Sequence, residues 1–400
     1  MAQPATTPPR GKHIHYRALD GFRGLAILLV FIFHAFHTTH QKSRPMQVAS
    51  WIGGGGWMGV DVFFVLSGFL ITGILIDSVH RPRYFRNFYI RRALRIFPLF
   101  YGVLLLLLLL TPVLHSEWHL GHLALLVYAQ NIAVNLNPGL GDLRPAVTLT
   151  HFWSLAVEEQ YYLIWPLTIL VIRDPRKIMR LCLVLMAASL ALRVGLLAFG
   201  VIGPGRDWNW IYMELPTHLD GLVLGSWLAL ATRHWSTPVL LRHTRWPFWL
   251  AIAVLAGILV QARTADYATD AMSSVGFTAI AVIFAGLLLR CFVPGSAATR
   301  FFDTAFLRFL GRYSYGIYVY HRLFNPLMTP VLYWLEARLH SRAAGSLVYL
   351  ALWFTSSIGV AVFSYRFFES PFLRLKDRLA PTSPADPAVT EGALMEPTRV

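Results

Sequence analysis

The segment RGLAILLVFIFHA, residues 23–35, decides the class of fold. Ten consecutive glycine or apolar residues separate Arg23 from His34, so the segment is typical of a membrane-spanning helix with a polar group towards each end. An arginine at the centre of such a helix costs about 2.5 to 3.5 kcal/mol on insertion scales, which makes it a functional candidate. Eleven positions at about 100° each complete about three turns, so Arg23 and His34 share one face, roughly 16 Å apart. We expect the two side chains to lie at the two ends of one cavity.

The composition also indicates a membrane protein. Of the 400 residues, 56% are hydrophobic and 14% are charged, whereas about a quarter of a soluble domain is charged. The net charge of +15 comes from basic residues in the short connectors between apolar segments, where they orient a membrane protein. The sequence therefore predicts a lipid bilayer and no nucleic acid as a partner. Cys182 and Cys291 lie in apolar segments and indicate no disulfide framework.

Ten apolar windows are long enough to span a bilayer. They lie near residues 19–37, 57–77, 95–114, 152–172, 180–200, 214–231, 247–262, 273–292, 308–330 and 346–367. An eleventh segment, 120–135, is shorter and polar at both ends.

The basic clusters decide whether this eleventh segment crosses. They lie at 10–17, 81–95, 173–180, 233–245 and 300–312 and after the last window. All of them fall on one side only if 120–135 does not cross, as the positive-inside rule requires. We therefore predict an all-α, polytopic membrane helical bundle of about ten transmembrane helices, with both termini cytoplasmic and 120–135 re-entrant or lying flat. The predicted divisions are a cytoplasmic N-terminal segment (1–18), a membrane domain (19–375) and a disordered cytoplasmic tail (376–400).

Polar side chains gather in the outer half of this predicted bundle. His34 lies about 5 Å inside the outer face, and Asp61 lies at a similar depth in the second window. Helical spacing places further polar residues on shared faces of the fourth and ninth windows. These residues are His151, Glu158, Ser314, Tyr318 and His321. By contrast, Arg23, Arg92 and Arg95 lie at the cytoplasmic ends.

Each of these signals also has a purely structural interpretation. Arginines near a cytoplasmic end can be topology anchors only, and Glu158 can pair structurally with an arginine. Ser314 and Tyr318 can hydrogen-bond one helix to another, which is the commoner use of such groups in bundles. His115, His119 and His122 have helical spacing, but no carboxylate joins them on that face, so we predict no metal site.

The order of the motifs closely resembles the acyltransferase 3 family of integral membrane O-acyltransferases. The likeness covers about residues 15–375 and rests on six linked motifs. They are R-x10-H, GVDVFFVLSGFLIT, FYIRRALRIFPLFY, HFWSLAVEEQYYLIWP, GRYSYGIYVYH and RFFESPF. Some relatives carry a C-terminal SGNH hydrolase-like domain. The sequence ends soon after RFFESPF, so we expect the stand-alone form.

The resemblance implies a reaction and assigns residues to it. Family members pass an acyl group from cytoplasmic acyl-CoA to a hydroxyl, typically on a sugar at the far face. His34 matches the family's catalytic histidine, and Glu158 matches the carboxylate of its WSLxxE motif. Arg92 and Arg95 match the pair associated with the CoA end. The expected donor is acetyl-CoA, the expected acceptor is a carbohydrate or glycosylated molecule, and the expected location is a bacterial inner membrane. No bound cofactor is implied.

Elementary chemistry agrees with these assignments. A pair of arginines can hold CoA phosphates through bidentate contacts. His34 can act as general base on the acceptor hydroxyl, with Asp61 or Glu158 orienting its imidazole. The residue that stabilises the oxyanion stays open, with Arg23 and Ser67 as candidates, and so does the choice between direct transfer and an acyl-histidine.

Two other classes of function stay open on the residues alone. Intramembrane His, Asp and Glu also build proton-coupled transporters, although no repeat relates the two halves of this chain, as it does in many transporters. A sensor or lipid-binding scaffold would have no use for the polar core. Within the favoured class, the acceptor can be a polysaccharide, a lipid-linked glycan or a glycosylated metabolite.

Overall fold

The structure, a computed structural model, describes residues 17–38, 53–203 and 208–381, which are almost entirely helical. The α-helices are α1 (Arg17–Thr38), α2 (Gly59–Ser78), α3 (Tyr84–Leu109), α4 (Thr111–Leu114), α5 (Gln130–Leu136), α6 (Trp153–Ile172), α7 (Pro175–Ala198), α8 (Asn209–Tyr212), α9 (Asp220–His234), α10 (Thr237–Ala262), α11 (Phe277–Arg290), α12 (Ala297–Phe302), α13 (Ala305–Tyr320), α14 (Asn325–Arg338), α15 (Arg342–Ser364) and α16 (Ser370–Leu379).

Shorter elements join these helices. The 3-10 turns are Gly54–Met58, Leu120–Val127, Pro138–Gly141, Thr150–Phe152 and Leu215–Thr217, and the π-helical turns are Met272–Gly276 and Tyr365–Glu369. Two strands, β1 (Asp142–Leu143) and β2 (Val147–Thr148), pair antiparallel with Leu143 opposite Val147.

Eight helical segments of the described chain are long and apolar enough to cross a membrane. They are Arg17–Ala35, Gly54–Ser78, Tyr84–Leu109, Thr150–Ile172, Pro175–Ala198, Thr237–Ala262, Met272–Arg290 and Arg342–Leu379. The predicted all-α polytopic membrane bundle is thus confirmed.

The two remaining predicted windows form shorter helices than expected. Window 214–231 becomes α9, with 15 residues, because Pro216 and its neighbours form a separate 3-10 turn. Window 308–330 becomes α13, with 16 residues, and a break before α14, which has Pro326 in its first turn. A proline lacks the amide that continues a helix, so both departures have the same cause. Segment 120–135 forms no spanning helix, since Tyr128, at φ 53°, ends its 3-10 turn before α5 begins.

Helices α1 and α13 touch backbone to backbone. An ideal Cβ on Gly24 would lie 1.9 Å from the Leu307 carbonyl oxygen, and one on Gly311 would lie 1.8 Å from the Asp20 carbonyl oxygen. Only glycine permits this approach, which is the usual role of small residues between membrane helices. Helix α1, which carries Arg23 and His34, is thereby fixed against α13.

Helices α2 and α9 meet in the same way. A Cβ on Gly68 would lie 1.9 Å from the Leu222 carbonyl oxygen, and one on Gly225 would lie 2.0 Å from that of Val65. The contact fixes the rotation of α2 about its own axis and so decides which neighbour Asp61 faces.

Both described ends of the chain lie at one end of the bundle. Arg17, at the start of α1, forms an ion pair with Asp303 at 3.6 Å. Arg91, near the start of α3, donates a hydrogen bond to the Ala380 carbonyl oxygen at 2.9 Å. This arrangement agrees with the prediction that both termini face one side, which the basic clusters assign to the cytoplasm.

Candidate functional site

A cavity of about 100 Å³ lies inside the bundle, lined by residues of α1, α2, α3, α6 and α13. Its lining includes Arg23, Arg92 and Arg95, which lie towards the predicted cytoplasmic end, and Ser154 and Tyr318, which lie towards the other. A second cavity of about 30 Å³ adjoins the arginine end and shares Arg23 and Arg95. The structure thus brings the three predicted arginines together at one end of an internal cavity.

Contacts within the bundle position Arg92 and Arg23 at the arginine end of the cavity. The Arg92 guanidinium lies over the Tyr162 ring, with Cζ 3.9 Å from the ring centroid, and the residue is only 9% exposed. This cation–π contact holds the planar group in place. Arg23 forms an ion pair with Asp20 one turn earlier, at 3.7 Å.

Glu158 lies in this arginine-lined cavity. The Ser67 hydroxyl donates a hydrogen bond to its Oε1 at 2.7 Å, and both residues line the cavity wall. Arg92 and Arg23 are close enough to act on the carboxyl electrostatically. Glu158 and Ser67 therefore belong to the predicted donor cavity. The sequence also predicts Glu158 as one of two residues that could orient His34, which does not line this cavity.

Tyr318 and Ser154 close the opposite end of the cavity. The Tyr318 hydroxyl donates to the His151 carbonyl oxygen and accepts from the Ser154 hydroxyl, which lies 2.6 Å away. The Phe63 ring meets the Tyr318 ring edge to face, 6.4 Å between centroids. His34 is not among the residues lining this cavity. The single cavity expected between Arg23 and His34 is therefore divided by Tyr318.

Three histidines form a cluster behind Tyr318. The His321 ring centroid lies 4.9 Å from that of His34 and 5.2 Å from that of His151. His321 and His151 are almost completely buried. Three elements meet here: α1 brings His34, the turn before α6 brings His151, and the end of α13 brings His321. Sequence reasoning named all three but could not place them in contact.

The hydrogen bonds of the cluster fix the tautomer of His34. His321 Nδ1 is 2.7 Å from the Tyr318 carbonyl oxygen, which can only accept, so Nδ1 carries the proton and Nε2 accepts. His34 Nδ1 is 3.2 Å from this Nε2 and 2.9 Å from the Val30 carbonyl oxygen, so it also carries a proton. The lone pair of His34 is therefore on Nε2, where Arg322 Nη1 donates at 3.3 Å. Nδ1 therefore holds the proton of the neutral ring, and Nε2 carries the lone pair that can accept one.

Asp61 lies elsewhere than the sequence predicted. Its Oδ1 is 2.9 Å from His218 Nε2, and both side chains are completely buried. His218 Nδ1 donates to the Tyr212 carbonyl oxygen at 2.6 Å, and the His218 ring stacks between Trp153 and Phe277. The expectation that Asp61 orients His34 is corrected: the close contact between α2 and α9 turns Asp61 towards the segment before α9. Depth alone could not show this rotation.

Sequence reasoning also missed a buried ion pair. Arg193 Nη1 and Asp220 Oδ2 are 2.6 Å apart, and neither side chain is exposed. Ser189 and Thr278 donate to the same carboxylate at 3.2 and 2.5 Å. The pair joins α7 and α9 with complete compensation of charge. An arginine inside the apolar window 180–200 was the signal that could have revealed it.

The sequence of the chain matches a known family and several known proteins. Residues 16–366 match a family model described as an acyltransferase domain. The chain belongs to the acyltransferase 3 family. The predicted membership of this family is confirmed, and the apolar helices together with bacterial relatives confirm the predicted multi-pass bacterial membrane location.

Several curated members of the acyltransferase 3 family resemble the chain over most of its length. It is 30% identical over 338 residues to the putative peptidoglycan O-acetyltransferase YrhL of Bacillus subtilis, a match covering 80% of this chain and 50% of that protein. It is 28% identical over 375 residues to the peptidoglycan O-acetyltransferase OatA of Listeria monocytogenes, covering 88% and 55%. The O-acetyltransferase OatA of Staphylococcus aureus is 27% identical over 368 residues, covering 88% and 56%. The chain spans about half the length of these relatives. No solved structure matches it.

Proposed function

We propose that the chain is a membrane O-acetyltransferase that moves an acetyl group from acetyl-CoA to a sugar hydroxyl of the cell wall. The observation that carries the proposal is the arrangement of Arg23, Arg92 and Arg95 at one end of an internal cavity, with a histidine cluster beyond the other end. Transfer of an acetyl group across the bundle needs an anion site on the predicted cytoplasmic side and a base near the outer side.

The arginine end fits the donor. The phosphates of CoA are anionic, and guanidinium groups bind phosphate oxygens through paired hydrogen bonds. Arg92 is already held over Tyr162, so little conformational freedom is lost on binding. The cavity is small, about 100 Å³, so it suits the thin pantetheine arm while the nucleotide stays outside the bundle.

His34 is the proposed general base. Its Nε2 carries the lone pair, because Nδ1 donates within the cluster. The pair formed by Tyr318 and Ser154 lies between the cavity and the cluster, so the thioester reaches His34 only when Tyr318 turns away from Ser154. His321 is the proposed positioning residue, since its Nε2 accepts from His34 Nδ1.

The proposed acceptor is a cell-wall glycan such as peptidoglycan. Two of the relatives above are named for peptidoglycan O-acetylation, and the histidine cluster lies at the end of the bundle that the basic clusters assign to the outside. A hydroxyl arriving from that side meets His34 without crossing the bilayer.

Purified chain in lipid nanodiscs, given acetyl-CoA labelled in the acetyl group and a muropeptide oligosaccharide, tests the proposal. We expect label on the oligosaccharide as an alkali-labile ester, together with one free CoA for each ester formed. A proton-coupled transporter would leave the acetyl-CoA intact, and that result would contradict the proposal.

A further inference from the structure

Arg322 lies directly beside the proposed base. Its Nη1 is 3.3 Å from His34 Nε2, while the preceding residue, His321, contacts His34 Nδ1. The two consecutive residues at the end of α13 therefore hold the two ring nitrogens of His34 from opposite sides. A cation next to the basic nitrogen is also next to the place where the acceptor oxygen must attack.

The positive charge of Arg322 has no ion-pair partner within the described residues. The only described hydrogen bond of the Arg322 guanidinium is the one to His34, although this group carries five N–H donors. Asp142 in β1 acts on it electrostatically but forms no ion pair with it.

Arg193 shows how this fold treats a purely structural buried arginine. Its guanidinium is completely buried and contacts the Asp220 carboxylate at 2.6 and 3.1 Å. Holding a half-buried cation without such a partner is costly, so Arg322 is poised for negative charge that arrives from outside the chain or develops during reaction.

We propose that Arg322 is a catalytic residue, the group that stabilises the oxyanion during acyl transfer. The proposal rests on the proposed function. The acceptor hydroxyl displaces Arg322 from His34 Nε2 and gives its proton to that nitrogen as its oxygen attacks the thioester carbon. The carbonyl electron pair moves onto the carbonyl oxygen, whose negative charge the released Nη1–H donor of Arg322 stabilises. Collapse of this intermediate breaks the carbon–sulfur bond, and the departing CoA sulfur takes the proton back from His34.

The other candidates for this role lie in the wrong place. Ser67 donates to Glu158 inside the donor cavity. Arg23 lines the same cavity, about 16 Å below His34 along α1. Neither residue faces the basic nitrogen of His34, whereas Arg322 touches it.

The test compares Arg322→Ala with wild type in the nanodisc transfer assay. Arg338→Ala is the matched control, because Arg338 is an exposed arginine on the following helix. We expect Arg322→Ala to lower kcat about 10²- to 10³-fold, the usual effect of removing one oxyanion donor, with the KM for acetyl-CoA unchanged. Arg322→Lys should recover part of the rate, and millimolar guanidinium should partly rescue Arg322→Ala but not His34→Gln. Arg338→Ala should behave as wild type.

Other outcomes would overturn the proposal. A raised KM for the acceptor at unchanged kcat would make Arg322 a binding residue for an anionic group of the acceptor. A fall in rate matched by a fall in melting temperature, without guanidinium rescue, would make it structural. Wild-type rates in Arg322→Ala would remove it from the reaction while leaving the proposed function intact, whereas a wild type that transfers nothing would refute the proposed function itself.

Discussion

Replacing Gly311 by alanine should separate the two helices that carry the histidine cluster. The new Cβ would lie 1.8 Å from the Asp20 carbonyl oxygen, whereas an ordinary contact is 3.4 Å, so α1 must move by about 1.6 Å (3.4 − 1.8). The obstacle is backbone, which has no rotamer to change, so we expect an overpacking cost at the upper end of the usual range, about 3 kcal/mol. Alanine gains about 1 kcal/mol over glycine in helix propensity. The free energy of unfolding should therefore fall by about 2 kcal/mol.

Gly359 in α15 provides the matched control. It is exposed, and nothing lies within 4 Å of its ideal Cβ, so Gly359→Ala should leave stability unchanged or raise it by up to about 1 kcal/mol. Both variants are compared by reversible SDS titration in mixed micelles. Transfer should also fall in Gly311→Ala only, because a shift of α1 breaks the 3.2 Å contact between His34 and His321. Equal stability of the two variants would refute the backbone contact between α1 and α13.

Two further predictions concern charged groups. Arg92→Ala and Arg95→Ala should each raise the KM for acetyl-CoA about 10- to 150-fold in steady-state kinetics, since a charge-assisted contact contributes about 1.5 to 3 kcal/mol. Lysine at either position should restore only part of the affinity, and an unchanged KM for acetyl-CoA would show that both arginines are topology anchors only. Arg193→Met should lower the free energy of unfolding by about 3 to 5 kcal/mol, because it leaves Asp220 buried and unpaired. The double variant Arg193→Met with Asp220→Leu should recover most of this loss, and an equal loss in the single and double variants would contradict the interpretation.

The fold was predictable because membrane-spanning helices are recognisable in a sequence by their length and apolar composition. Each predicted window contains a helix, and the basic clusters correctly set segment 120–135 apart from the spanning helices. The errors occur at Pro216 and Pro326, where a window of continuous apolarity hides a break in the helix. A hydropathy value averaged over a window hardly changes when one residue is proline. Backbone hydrogen bonding does change, because proline has no amide hydrogen to donate.

Contacts between helices were less predictable than contacts along one helix. Helical spacing correctly grouped Tyr318 with His321 near the end of α13. Asp61 was assigned to His34 by depth, yet its partner depends on how α2 is rotated, which the contact with α9 decides. Arg322 was missed because an arginine at the end of an apolar window is indistinguishable from an ordinary anchor until its neighbours are known.

The most direct test of the proposed mechanism measures transfer by His34→Gln. Glutamine can replace a hydrogen bond that the Nδ1–H group makes within the cluster, but its amide accepts no proton near neutral pH. We therefore expect the variant to insert and fold normally, to bind acetyl-CoA as wild type does, and to transfer the acetyl group at least about a hundredfold more slowly. Transfer within a few-fold of wild type would contradict the role of His34 as the base and would direct attention to His151 or His321.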